Sequence, residues 1–321
     1  MKKATTILLL VAMLLIVVGA AIFIIPLALG GWDFSALDGN HYQTKTYDIT
    51  EEFTKVSIHA ITSDVMVLPS TDGKVSVISR EREKEQYEVK AADGALSVTL
   101  HDTSKWYDNI FFFGEGESSV KIYLPSTELA SLNISVTTGD IFVSPSLTFG
   151  AIDINATTGD VEGMANATDS LRIHLRTGDV NISGIRAGKI EIESTTGDME
   201  LERIDCAGEI VLNTTSGELE LSDITAASLK TEGTTGELEM MRVSIGGALE
   251  VKHGTGDVSF RALDSGSISI ECTTGDVSGS VLKPMMFSAK STTGDIRIPT
   301  PEAGGRCHIK TTTGDIWVTI E

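Results

Sequence analysis

Cysteine is scarce in this chain: Cys206, Cys272 and Cys307 are the only three in 321 residues. Their spacing fits no zinc motif, and an odd, scattered set gives no disulfide framework. All three read as small structural hydrophobes, Cys307 most plainly because it falls in a core column described below. Basic residues are also few, 25 against 45 acidic; without Lys2 and Lys3 the remainder carries about −22. Nucleic acid is excluded as a partner, since its binding needs basic surface. Adsorption to anionic lipid through charge is disfavoured, and cations or cationic polymers match better. Aromatics make up only 6% of the chain, which suits a narrow core of Ile, Leu and Val. Catalytic signatures are lacking too: no Ser–His–Asp pattern and no metal motif stands out. The six His are scattered, and His174 and His253 fall near strand ends, where surface placement is expected. No catalytic or cofactor-binding residue is therefore assigned.

What is present is a repeat. Thr-Thr-Gly-Asp or a close variant recurs ten times, with its glycine at Gly139, Gly159, Gly178, Gly197, Gly217, Gly236, Gly256, Gly275, Gly294 and Gly314, always 19 or 20 residues apart. A fixed period of this length signals a repeat architecture. Seven residues before the glycine stand Leu132, Ile152, Leu171, Ile190, Ile210, Leu229, Leu249, Ile268, Phe287 and Cys307. Five before it, and again two after it, the positions are mostly Ile, Val or Leu, with polar residues between. Period-two alternation marks a strand with one buried face. Each repeat thus reads as strand, corner, strand and a looser return.

Antiparallel hairpins could share such loops, but identical columns stack best as coils in register. The expected fold is all-β: a single parallel β-solenoid of about ten coils, right-handed by analogy with parallel crossovers, and roughly 50 Å long at about 4.8 Å per coil. Gly supplies the positive φ of a sharp corner. The Asp or Glu after it reads as a turn former bonding local backbone amides, and the Thr pair as a ladder across coils. Four residues before the glycine, Glu232, Lys252, Glu271 and Lys290 alternate in sign, which makes sense only if the coils stack in register.

Thr6 to Leu29 is an uncharged run of 24 residues behind Lys2 and Lys3. It is long enough to span a bilayer as a transmembrane signal-anchor, with residues 1–5 cytoplasmic and the rest extracytoplasmic at the cell membrane. A cleaved signal peptide is the rival reading: Ala28-Leu29-Gly30 resembles a cleavage site, although the run exceeds a usual signal core. No Cys lies near this segment, so lipoprotein processing is not supported. Residues 30–45 read as a linker, 46–131 as an irregular β region and cap, and 132–321 as the regular solenoid. In the cap region, Val56 to Val67 mimics a repeat with Ser63-Asp64 in place of Gly-Asp, and the charge run Arg80 to Glu85 reads as a solvated strand or loop. The aromatic cluster Trp106 to Phe113 either plugs the core's end or forms an exposed loop touching membrane or partner. Ile316 to Ile320 reads as an uncapped last strand, an open edge inviting end-to-end self-association.

The Thr-Thr-Gly-Asp strands behind Val120-Lys-Ile-Tyr-Leu-Pro125 resemble a bacterial adhesin-domain family of undefined function, over roughly residues 46–321. That resemblance implies a β-helical fold and allows a place in cell-envelope stress response; it brings no catalytic residues. Three functions follow. The first is a non-catalytic, membrane-anchored, adhesin-like scaffold binding an envelope glycan or protein; an envelope-stress signalling component with a membrane protein partner is its variant. The second is a polysaccharide-acting enzyme, disfavoured because the regular coils carry no long insertion to wall a cleft. The third is a cation-binding rod, with Asp140, Asp160, Asp179, Asp198, Asp257, Asp276, Asp295 and Asp315 as Ca²⁺ candidates along one edge. Each repeat offers one carboxylate where about 6–8 oxygens are needed.

Overall fold

The computed structural model describes residues 10–21, 24, 42–82, 84–103, 118–300 and 303–321. Residues 10–21 and Ile24 are helical. The rest of the expected 6–29 span lies outside the described residues, and among those described no helix is long and apolar enough to cross a membrane. From Gln43 onward the described elements are strands, all joined in one sheet.

Successive repeats lie parallel and in register. In strand Thr148–Thr158, Ile152 faces Leu132 on one side and Leu171 on the other, and Ile154 faces Ile134 and Ile173. Beyond the corner, Val161–Glu162 lies in the same way between Ile141–Val143 and Val180–Ser183. The chain is therefore an all-β parallel solenoid whose ten corners bound about nine turns. Hairpins do not join the regular repeats. The predicted inward columns are buried from Leu132 to Cys307. Ile296, 41% exposed, and half-buried Ala289 depart because their coil is outermost. A fully buried Ile or Leu contributes roughly 2 kcal/mol, against a few tenths for an exposed ion pair. The apolar columns, not the charges, set the register.

The return is more ordered than expected. Met199–Ser216, Leu219–Thr235, Leu238–Thr255 and Val258–Thr274 run as strands from one corner to the next. A third inward column, Ile185, Ile204, Ile224, Val243 and Leu263, buries this side. The bend beside it is made by Arg203, Asp223, Arg242 and Ala262, all at φ between 53 and 55°. None is Gly, so the sequence shows no turn there. The difference between 19- and 20-residue repeats is absorbed by bulges between Cys206 and Glu209, Ala226 and Leu229, and Ile245 and Ala248.

At both ends, stacking order departs from chain order. Lys55–Thr62 stacks directly on Leu129–Thr138, so the Ser63-Asp64 coil is the true neighbour of the Gly139 coil. On its outer side lie Ala95–Asp102 and Ser119–Leu124. Three antiparallel strands close this end: Gln43–Ile49, Val75–Glu81 and Glu85–Ala92. The aromatic cluster Trp106 to Phe113 falls between Asp102 and Ser119 and lies outside the described residues. At the other end Arg306–Thr313 pairs with the Ile268-to-Thr274 positions of Val258–Thr274 on one face and with Met286–Thr293 on the other. The coil of Gly314 is thus inserted between those of Gly275 and Gly294. Ile316–Ile320 is consequently not the outermost strand: it pairs along its length with Val277–Val281, and Ile296–Arg297 covers its start. The free edge belongs to Met286–Thr293.

The insertion also corrects the charge column. Glu271 faces Lys310, while Lys290 faces Lys310 rather than Glu271. The charge run at the cap is corrected as well. Val75–Glu81 alternates inward through Val77, Ser79 and Glu81, which buries Glu81 instead of leaving it solvated. Glu81 is ion-paired with Lys45 and accepts the Tyr87 amide at 2.8 Å. Buried Glu85 is held by Arg82 at 2.7 Å.

Candidate functional site

The corner is built from backbone contacts between coils. At Gly197, φ is 129° and an added Cβ would overlap the Gly178 carbonyl oxygen. Both facts demand Gly. The following Asp does not tie its own turn, as expected from sequence, but reaches the next coil. The Asp140 amide donates to Asp64 Oδ1 at 2.9 Å, Asp160 to Asp140 at 2.9 Å, Asp179 to Asp160 at 2.8 Å and Asp198 to Asp179 at 2.8 Å. The ladder continues through Glu218, whose amide donates to Asp198 Oδ1 at 2.7 Å. It lapses at Glu218 and Glu237 and resumes from Asp257 to Asp276, Asp315 and finally Asp295. Of the eight Ca²⁺ candidates, all but Asp295 spend an oxygen on this bond. Among the described residues no group of three or more His, Cys, Asp or Glu is placed to hold a metal ion.

Beside the corners runs a groove of about 930 Å³. Its rim is the outward column four residues before each glycine: Ser135, Asn155, His174, Glu193, Asn213, Glu232, Lys252, Glu271 and Lys310. These come from nine consecutive coils of the stack, so the groove is roughly 40 Å long at about 4.8 Å per coil. Arg176, Lys252 and Lys310 balance Glu193, Glu232 and Glu271, and no aromatic residue lines it. A neutral groove thus crosses a strongly acidic protein.

Part of the rim charge is paired. His174 Nδ1 lies 3.1 Å from Glu193 Oε2. Lys230 and Lys252 lie 3.0 and 3.7 Å from Glu232 Oε1. The hydrogen bond from Lys230, with its charge, holds the Glu232 carboxyl below the ordinary carboxylate range. His253 does not sit on the surface, contrary to expectation. It is buried, and its Nε2 lies 2.7 Å from the Gly236 carbonyl, because it belongs to the inward column three residues before the glycine. All three Cys are free and buried; burial pushes the Cys307 thiol up to about 12 and raises Cys206 and Cys272 as well.

Sequence reasoning saw only the alternating stretch of the rim and missed the groove floor. The signal was present: three residues before the glycine the column turns from Val136, Ala156 and Leu175 to Ser194, Thr214 and Gly233.

In-register coils with a polar groove along their edge define a parallel β-solenoid. A family model matches residues 53–243 and again 205–321, and the chain belongs to that family, Toastrack DUF4097. No curated protein matches it. Among solved structures it is similar to a "putative lipid binding protein" from Parabacteroides distasonis, with 16% identity, TM-score 0.51, and 74% of this chain and 96% of that one covered. It is also similar to a "putative adhesin" from the same organism, with 14% identity, TM-score 0.50, and coverage of 86% and 97%. These likenesses show the fold.

Proposed function

We propose that this protein is a membrane-anchored, extracytoplasmic and non-catalytic scaffold of adhesin type, which lays a polymer of the cell envelope along its groove. The observation that carries this reading is the groove itself: long, narrow, polar and formally neutral on a chain of net charge −20. A volume of about 930 Å³ spread over nine coils suits one extended chain rather than a compact ligand. The absence of aromatic lining and of net positive charge disfavours nucleic acid. Thr6 to Leu29, behind Lys2 and Lys3, supports the anchor and the outward orientation.

The carboxylates favour binding over hydrolysis. A glycosidase needs one carboxyl with a raised pKa as general acid. Glu232 is displaced in the opposite direction, and Glu193 is engaged by His174.

The test is co-sedimentation of the purified full chain with isolated cell-wall material, with EDTA and with Ca²⁺. Saturable binding unaffected by EDTA is expected. No binding in either condition would sink the reading and move it to a membrane protein partner.

A further inference from the structure

Polar side chains of the inward column generally bond to a neighbouring corner. His253 Nε2 reaches the Gly236 carbonyl at 2.7 Å, Thr311 Oγ1 donates to the Gly275 carbonyl at 3.2 Å, and Ser291 Oγ to the Gly314 carbonyl at 2.9 Å. Two members of the column depart from this. Ser194 Oγ and Thr214 Oγ1 are buried and have no hydrogen-bond partner. The residues themselves are 6% and 7% exposed, and both line the groove. The next member is Gly233, which contributes no side chain; His253 leans over the space a Cβ would take there. Two successive coils thus place two unsatisfied hydroxyls in the groove floor, and in the third the His253 ring takes the place of a side chain. Above them stand Glu193, Asn213 and Glu232, whose side-chain oxygens can accept further hydrogen bonds.

Orphaned buried hydroxyls in a native structure call for an explanation. The column does not require them for packing, since Val136, Ala156 and Leu175 occupy the equivalent positions in the preceding coils. A hydroxyl can both donate and accept, so its natural complement is another hydroxyl. We propose that Ser194 and Thr214 form the floor of a subsite for one residue of a neutral, linear, hydroxyl-rich polysaccharide, its hydroxyls bonding the floor and its flanks the rim carboxylates and amide. This inference rests on the groove being the binding face.

The experiment compares the full chain with the Ser194→Ala/Thr214→Val double variant, by calorimetry with the neutral oligosaccharides cellohexaose, chitohexaose and maltohexaose, and by thermal melting. Removing unpaired buried hydroxyls is expected to raise the melting temperature while weakening binding of at least one glycan about tenfold, two hydrogen bonds' worth. Thr214→Ser, which keeps the hydroxyl, is expected to hold near wild-type affinity and provides the comparison with Thr214→Ala if the double variant folds poorly. A higher melting temperature with unchanged affinity would overturn the subsite and leave the scaffold reading standing. Binding of none of the three glycans by the wild type would overturn the subsite. Cell-wall co-sedimentation separately tests the broader scaffold reading.

Discussion

A single Asp carboxylate oxygen links most corners to the next, and that explains why Asp dominates the position after glycine. The shorter side chain sets Oδ1 against the neighbouring amide; in Glu218 and Glu237 the longer one makes no such bond. Glu237→Asp should therefore extend the ladder to the Asp257 amide and raise the melting temperature. Asp198→Ala should lower stability by about 1 kcal/mol, the usual net worth of one hydrogen bond. Thermal melts of the two variants check both signs, and a destabilised Glu237→Asp would contradict the ladder. The glycine and its positive φ were legible from sequence, but the direction of the Asp bond was not. A local Asx turn and a bond across coils use the same residue at the same position, and only the register tells them apart. Ser63 shows the same limit. It stands where Gly stands elsewhere because its hydroxyl accepts from Tyr87 at 2.6 Å and donates to Ser118 at 3.2 Å, residues remote in sequence.

Strands inherit these alignments as columns, and a column of like charge carries a cost. Glu200, Glu220 and Glu239 face one another in three coils. Desolvation, then the fields of Glu200 and Glu239, raise the Glu220 carboxyl above its ordinary value of 4.5. The folded state thus binds this proton more readily than the unfolded chain. The penalty is fully present above the folded pKa and is relieved as pH falls through it towards 4.5. Glu220→Gln should accordingly raise the melting temperature at about pH 7, with a gain that shrinks on acidification. Equal gains at both pH values would refute the assignment. Strand identity was readable at this scale wherever burial alternates, from Lys55–Thr62 to Ile316–Ile320. The third column was not, because its bend is made by Arg203, Asp223, Arg242 and Ala262 in a conformation that sequence patterns assign to Gly. The groove was half legible: its rim charges alternate visibly, whereas the floor needed the stack.

Across the whole molecule, acidity is uneven. The free edge Met286–Thr293 exposes Met286, and Ile296 and Trp317 lie nearby, 41% and 57% exposed. Lys290 and Lys310 stand side by side at this end, with Arg297 on the adjoining strand. Positive charge blunts an edge against its own copy. Edge-to-edge pairing should then be suppressed at about 0.01 M salt and emerge at about 1 M, where the screening length falls from about 30 to about 3 Å. Sedimentation of the full chain at both salts gives the answer; a monomer throughout would dismiss this edge as a contact.

The inserted coil bears on how the rod comes to be finished. From Asp160 to Glu218 each corner clasps one made 19 or 20 residues earlier, as Asp179 does Asp160, so growth there can follow synthesis. Asp315 instead clasps Asp276, 39 residues back, and only then does Asp295 find its acceptor. The extra loop closure costs only about 0.6 kcal/mol for such a doubling. What changes is the order of pairing: in the finished rod the Gly294 coil joins the stack only through the one that follows it in the chain. A nascent rod lacking residues 306–320 lacks the neighbour of its Gly294 coil, and their arrival fills that slot while Met286–Thr293 stays the outer edge.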